Sequence, residues 1–231
     1  MKLSYSCVDI WLFNLQCSNI VKYNFIITFS YDEIIRLKMM KSLKIANQFI
    51  VSRGMLRKIL SYYLPFRAKE LVFQYSDKKK PFLNYMQNPK CFNFNVSHSR
   101  DLGIIAVSNG IDIGIDVEFV RNLNNFNKIS SRFFSKYEFL YLKKLKYDNL
   151  KNSFFKLWTA KEAILKACGN KMNKGLNNHI LSIKNYPYIE IVNFSKKINI
   201  SIIGISSLIN NYIISLAGKI NKFGSIKIYT I

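Results

Sequence analysis

A chain of 231 residues with 49% hydrophobic content can bury one large core or two smaller ones, and its 35 lysines and arginines against 13 acidic residues leave a formal net charge of +22 that attracts polyanions. Four dispersed cysteines without a CxxC pair exclude a disulfide framework and a cysteine-rich zinc site, and two histidines exclude a histidine-built metal centre, so any bound metal is expected on oxygen ligands. No apolar run approaches the roughly 20 residues of a membrane-spanning helix, and Asp9, Asn14 and Gln16 interrupt the N-terminal stretch where a secretory leader would be continuously apolar.

Residues 3–29 alternate short apolar and aromatic runs, 8–13 and then 23–29, with polar breaks, which reads as one or two strands. From Tyr31 to Leu64 apolar residues recur at three and four, which predicts two helices, or one that bends near Gly54, ended by Pro65. A short strand over 71–75, a basic turn over 77–81 and a strand over 91–96 follow, the last delivering the polar turn Ser97-His98-Ser99-Arg100. Asn109-Gly110 stands between the apolar runs 102–107 and 111–119, a strong hairpin signal. Helical spacing returns over 129–145 and 152–168. A loop rich in glycine and asparagine spans 169–178, and strands are expected over 180–183, 188–194, 198–205, 212–217 and 225–231. The expected fold class is α+β in two halves, residues 1–109 and 110–231.

Within the second half, residues 111–119 alternate without a slip, with apolar side chains at odd positions and Asp112, Gly114, Asp116 and Glu118 at even ones. Asp116 and Glu118 therefore share one face of a strand, their α-carbons about 6.5 Å apart, and adjacent carboxylates repel unless a cation sits between them. On the 152–168 helix Phe154, Phe155, Trp158 and Leu165 form an apolar stripe, and Glu162 falls inside it, a placement that calls for a metal, a cation or a proton. Lys166 follows four residues later. Each half alone admits a plainer reading: a solvated acidic strand face, and an ordinary Glu162–Lys166 pair on one helix.

Taken together, Gly114-Ile115-Asp116-Val117-Glu118 and Trp158-Thr159-Ala160-Lys161-Glu162-Ala163-Ile164-Leu165-Lys166 resemble the signatures of the Sfp-type 4′-phosphopantetheinyl transferases. Phe133-Phe134-Ser135-Lys136-Tyr137-Glu138 is similar to that family's F-F-S-x-x-E segment, Phe94-Asn95-Val96-Ser97-His98-Ser99 to its F-N-x-S-H-S turn, and Lys80-Pro81 to its G-K-P turn. Residues 29–33 and 49–57 resemble its N-terminal helical region, so the likeness runs in order through most of the chain.

The resemblance implies two pseudo-symmetric α+β halves with the active site at their junction, and transfer of the 4′-phosphopantetheine arm of coenzyme A to a carrier-protein serine with release of 3′,5′-ADP. It implies that Asp116, Glu118 and Glu162 hold Mg²⁺, that Glu162 helps deprotonate the serine, and that Lys166 acts on the departing 3′,5′-ADP. Lys80, Ser97 and His98 are the implied contacts to coenzyme A, and Arg53 joins them, with Arg57 one helical turn on; this pair suits either phosphate contact or a solvated face. The expected partner is an acidic acyl or peptidyl carrier protein, met by a cytoplasmic monomer that binds neither membrane nor nucleic acid. Two positions depart from the pattern: Lys79 replaces the glycine before Lys80-Pro81, and Asn170 stands where a second glycine would follow Gly169. The competing readings are a basic nucleic-acid-binding protein and a family member that keeps the fold without activity. A compositional bias toward Lys, Asn and Ile is the plain alternative for the charge itself.

Overall fold

The computed structural model describes residues 1–76, 80–122, 124–169, 179–183, 189–194, 200–205 and 211–231. Lys79, most of the basic turn, and the Asn170 position lie outside them, as do parts of the segments expected as strands over 188–194 and 198–205. The backbone divides into two compact units, Met1–Gly110 with Gly224–Ile231, and Ile111–Phe223. The halves are thus not strictly consecutive in sequence.

The first unit opens with β1 (Val8–Asn14), buried from Val8 to Phe13. The 23–29 segment is not a strand. Ser18 caps a helix, α1 (Asn19–Ile26), by accepting from the Val21 amide, and a local cap outweighs the β preference of the aromatic residues that follow. α2 (Tyr31–Lys38) starts with a Ser30/Glu33 capping box, and α3 (Leu43–Leu60) starts at Ser42, which accepts from the Ile45 amide. The helical stretch is therefore two helices, the first of its two readings, divided at 39–42. Gly54 lies inside α3, where an added Cβ would come within 2.1 Å of the Phe25 ring; it admits α1 against α3.

β2 (Phe73–Tyr75) pairs with β3 (Pro81–Leu83), and β4 (Phe92–Ser99) pairs antiparallel with β5 (Leu102–Asn109). Ser97, His98 and Ser99 belong to β4, and the reversal comes at Arg100, whose φ of 52° is left-handed. The expected hairpin at Asn109-Gly110 does not form. β5 pairs with β1 and β4, whereas β6 (Ile113–Phe119) pairs with a strand of the second unit. Gly110 supplies the positive φ of 71° there, but as the end of a unit. The first sheet runs β11-β1-β5-β4, its last member, β11 (Ile226–Thr230), lying parallel to β1. Its core gathers Trp11, Phe13, Leu56, Ile59, Leu60 and Phe94.

In the second unit the segment expected as helical over 129–145 forms two helices, α4 (Phe126–Phe133) and α5 (Lys136–Lys143), because Ser135 starts a new capping box with Glu138. α6 (Tyr147–Ala167) follows, then β7 (His179–Ser182), β8 (Glu190–Phe194), β9 (Ser201–Gly204) and β10 (Tyr212–Gly218). The sheets are β6-β10-β9 and β7-β8. α6 lies on the larger one. Its apolar stripe, Phe154, Phe155, Ile164 and Ala167 among it, is buried there, and Thr159 Oγ1 meets Ser215 Oγ of β10 at 2.8 Å. Among the described residues no helix is long and apolar enough to cross a membrane.

Candidate active site

Gly114 sets the spacing between the acidic strand and α6. A Cβ there would fall 2.1 Å from the Ala163 carbonyl oxygen and 2.4 Å from the Ala167 amide nitrogen, backbone atoms that cannot rotate aside. With only hydrogen at that point, strand and helix close together and the residues on either side of the contact meet. Lys166 reaches from α6 to β6, donating to Asp116 Oδ1 at 2.7 Å and to the Ile115 carbonyl at 3.0 Å. Lys166 thus forms an ion pair with Asp116 across two elements, where the plainer sequence reading placed it on Glu162.

Asp116 is 6% exposed, and Glu118, two residues on, is half-buried and accepts from Arg121 at 3.0 Å. The Arg121 guanidinium also lies 5.2 Å from the Phe155 ring centre. Glu162 sits one turn before Lys166 on α6. Its carboxyl is pushed up to about 7, first by burial, then by the negative charge of Asp116, with Lys166 pulling it down and Glu118 adding to the rise. Asp116, Glu118 and Glu162 therefore belong to one electrostatic cluster.

Among the described residues no three carboxylate, histidine or cysteine side chains stand as a ready-made metal site. The chemistry of the cluster nevertheless suits Mg²⁺: its donors are hard carboxylate oxygens, their mutual repulsion is what a divalent cation relieves, and two of them already carry cationic nitrogens.

A second feature of this unit had no role assigned from sequence. Glu138, 1% exposed, accepts from the Ser135 and Leu181 amides at 2.8 and 2.9 Å and pairs with Lys161 Nζ at 3.0 Å. Burial lowers the Lys161 pKa while Glu138 raises it. The pair ties α5 and β7 to α6 at the residue preceding Glu162, which gives the F-F-S-x-x-E segment a structural purpose. Its sequence signal was the Ser-x-x-Glu spacing alone.

In the first unit an open cleft of about 490 Å³ is lined by Phe49, Ser52, Arg53, Leu56, Pro81 and His98, with Met40, Ile45, Gln48 and Val96. It brings Arg53 and His98 together. Lys80 neighbours the lining residue Pro81, its amide donating to Ser76 Oγ at 3.2 Å, and Ser97 is 8% exposed on β4 between the lining residues Val96 and His98. Arg53 and Arg57 do not form a solvated face. Arg57 is fully buried, and Arg53 is 8% exposed. Glu33 pairs with both, at 2.7 Å from Arg57 and 3.3 Å from Arg53, a partnership that sequence spacing did not reveal.

Residues 112–217 match the family model described as the 4′-phosphopantetheinyl transferase superfamily, and residues 21–110 match the model described as 4′-phosphopantetheinyl transferase, N-terminal. The 4′-phosphopantetheinyl transferase HetI of Nostoc sp. is 35% identical over 147 residues, covering 64% of this chain and 62% of that protein. The 4′-phosphopantetheinyl transferase gsp of Aneurinibacillus migulanus is 29% identical over 161 residues, 70% of this chain and 64% of that protein. The L-aminoadipate-semialdehyde dehydrogenase-phosphopantetheinyl transferase of Xenopus laevis is 26% identical over 132 residues, 54% and 44% of the two chains. The chain spans less than two thirds of the length of each of these relatives.

Proposed function

We propose that this chain, whose residues 21–110 and 112–217 match two 4′-phosphopantetheinyl transferase family models, is an Sfp-type enzyme transferring the 4′-phosphopantetheine arm of coenzyme A to a serine of an apo carrier protein. The observation that carries this reading is the Lys166–Asp116 pair formed across the Gly114 contact, with Glu162 lying in the field of Asp116 and Glu118. Asp116, Glu118 and Glu162 would hold Mg²⁺, which when bound would neutralise charge developing on the coenzyme A diphosphate. Glu162, its carboxyl raised to about 7, is suited to accept the serine proton near neutral pH, directly or through water. The Lys166 ammonium, carried at the end of a long side chain beside Asp116, would stabilise or protonate the leaving 3′,5′-ADP. Lys80, Ser97, His98 and Arg53 are the proposed contacts to the nucleotide end of the cofactor. The net charge of +22 favours an acidic acyl or peptidyl carrier, met by a cytoplasmic monomer.

Incubation with coenzyme A, Mg²⁺ and a panel of acidic and near-neutral apo-carrier proteins, read by intact mass, tests the reaction. One added phosphopantetheine on an acidic carrier is the expected result, and no mass change on any carrier would refute the assignment. Asp116→Ala is expected to fold, because it relieves carboxylate repulsion and lets the Lys166 ammonium turn to water. Its apparent Mg²⁺ affinity should fall by at least about tenfold, read as turnover across a Mg²⁺ titration. Full turnover of the unaltered chain in excess chelator would contradict the metal assignment.

A further inference from the structure

We infer that Glu33 and Tyr75 are positioning residues that fix the Arg53 guanidinium in the wall of the first unit's cleft, keeping one of its nitrogens for an anionic group of the cofactor. The inference rests on the assignment of this cleft to the nucleotide end of coenzyme A. Glu33 is fully buried at the third position of α2, and its Oε2 is already engaged by the Ser30 amide at 3.0 Å and by Arg57 Nε at 2.9 Å. Arg57 also donates to the Ala68 and Leu71 carbonyls at 2.8 and 2.9 Å. It is thereby an internal strut that holds Glu33 still. The other carboxylate oxygen, Oε1, faces Arg53 Nε at 3.3 Å.

Arg53 is held from its far side as well. Its NH2 group donates to the Tyr75 hydroxyl at 3.2 Å, and the Phe73, Phe49 and Tyr75 ring centres lie 4.9, 5.8 and 5.9 Å from the guanidinium carbon. One guanidinium nitrogen is thus hydrogen-bonded to Tyr75, a second is ion-paired with Glu33, and the group is packed among three rings. The third, NH1, is buried with no hydrogen-bond partner among the described residues, and so is the hydroxyl of the adjacent Ser52. Both residues line the cleft. Buried donors without acceptors are costly, and a phosphate oxygen seated in the cleft would satisfy them; a guanidinium so held suits that geometry. Arg36 adds to the cationic excess, its guanidinium 5.9 and 5.5 Å from the same Phe49 and Tyr75 rings.

A plain counter-charge role for Glu33 makes the opposite forecast. Removing a negative charge from behind the cleft would raise its positive potential and tighten anion binding, whereas loss of a positioning residue loosens it. The test is calorimetric titration of the whole chain with 3′,5′-ADP, alongside a thermal melt and steady-state kinetics with coenzyme A. Glu33→Gln should weaken 3′,5′-ADP binding by about tenfold and Tyr75→Phe by a few fold, and each should raise KM for coenzyme A with kcat little changed. Should Glu33→Gln fail to fold, Tyr75→Phe decides, because it removes one hydroxyl and leaves every ion pair in place. Affinity that is unchanged or tighter in the folded variants overturns the inference alone. Absence of 3′,5′-ADP binding by the unaltered chain overturns the cleft assignment first, and the inference with it.

Discussion

Gly114→Ala is expected to abolish most of the activity while leaving a folded, less stable protein. The added methyl would lie 2.1 Å from the Ala163 carbonyl oxygen and 2.4 Å from the Ala167 amide nitrogen, so α6 must move away from β6 as a body. Forced overpacking of this kind costs about 1–3 kcal/mol, which in a chain of this length lowers Tm by several degrees. The catalytic loss should be disproportionate. Asp116 on β6 and Lys166 on α6 meet at 2.7 Å across that contact, and a displacement of about 1 Å can cost roughly a hundredfold in rate. Steady-state kcat measured well below the new Tm separates the two effects. Near-normal turnover there would mean that the strand–helix spacing does not set the geometry of the reacting groups.

Element types were largely legible because most segments carried one clear period. The strict alternation of residues 111–119 became β6, and the three-and-four spacing of 152–168 became the C-terminal part of α6, from residue 152 to Ala167. At Ser18 a short local signal outranked the apolar pattern and started α1 where 23–29 read as strand, while Ser42 and Ser135 set where the helical stretches 31–64 and 129–145 divide into α2 and α3 and into α4 and α5. Asn109-Gly110 has hairpin chemistry but sits where the chain leaves one sheet for another, and sheet membership depends on partners far away in sequence.

The site divides along the same line. That Asp116, Glu118, Glu162 and Lys166 belong together could be read from two segments and their family likeness, since each lies on a regular element whose faces follow from spacing. The ion pairs could not. Ser30-x-x-Glu33 and Ser135-x-x-Glu138 are both capping boxes by sequence, yet in each the glutamate has a second use, pairing with Arg53 and Arg57 or with Lys161 from another helix. A capping glutamate with an apolar neighbourhood is ready to accept a buried cation. Which cation arrives is decided by tertiary packing, which places residue 33 beside residue 57 and residue 138 beside residue 161.

Glu162→Ala and Lys166→Ala are expected to reduce kcat by about 10²–10³-fold each, with much smaller effects on coenzyme A binding, but to differ in their response to metal. Glu162→Ala removes an oxygen donor from the acidic cluster, so its residual activity should need much more Mg²⁺. Lys166→Ala removes an ammonium that lies 2.7 Å from Asp116; it should need no more Mg²⁺ than the unaltered chain, because no oxygen donor is lost and a competing cation is gone. A purely structural role predicts another pattern. An ordinary helix-surface ion pair contributes about 0.2–0.5 kcal/mol, so each substitution would then shift stability slightly and spare turnover. Measuring kcat for both variants across a Mg²⁺ titration decides the matter: two parallel curves near the parent level would reduce Glu162 and Lys166 to packing residues, and two depressed curves with the same Mg²⁺ midpoint would remove Glu162 from the metal.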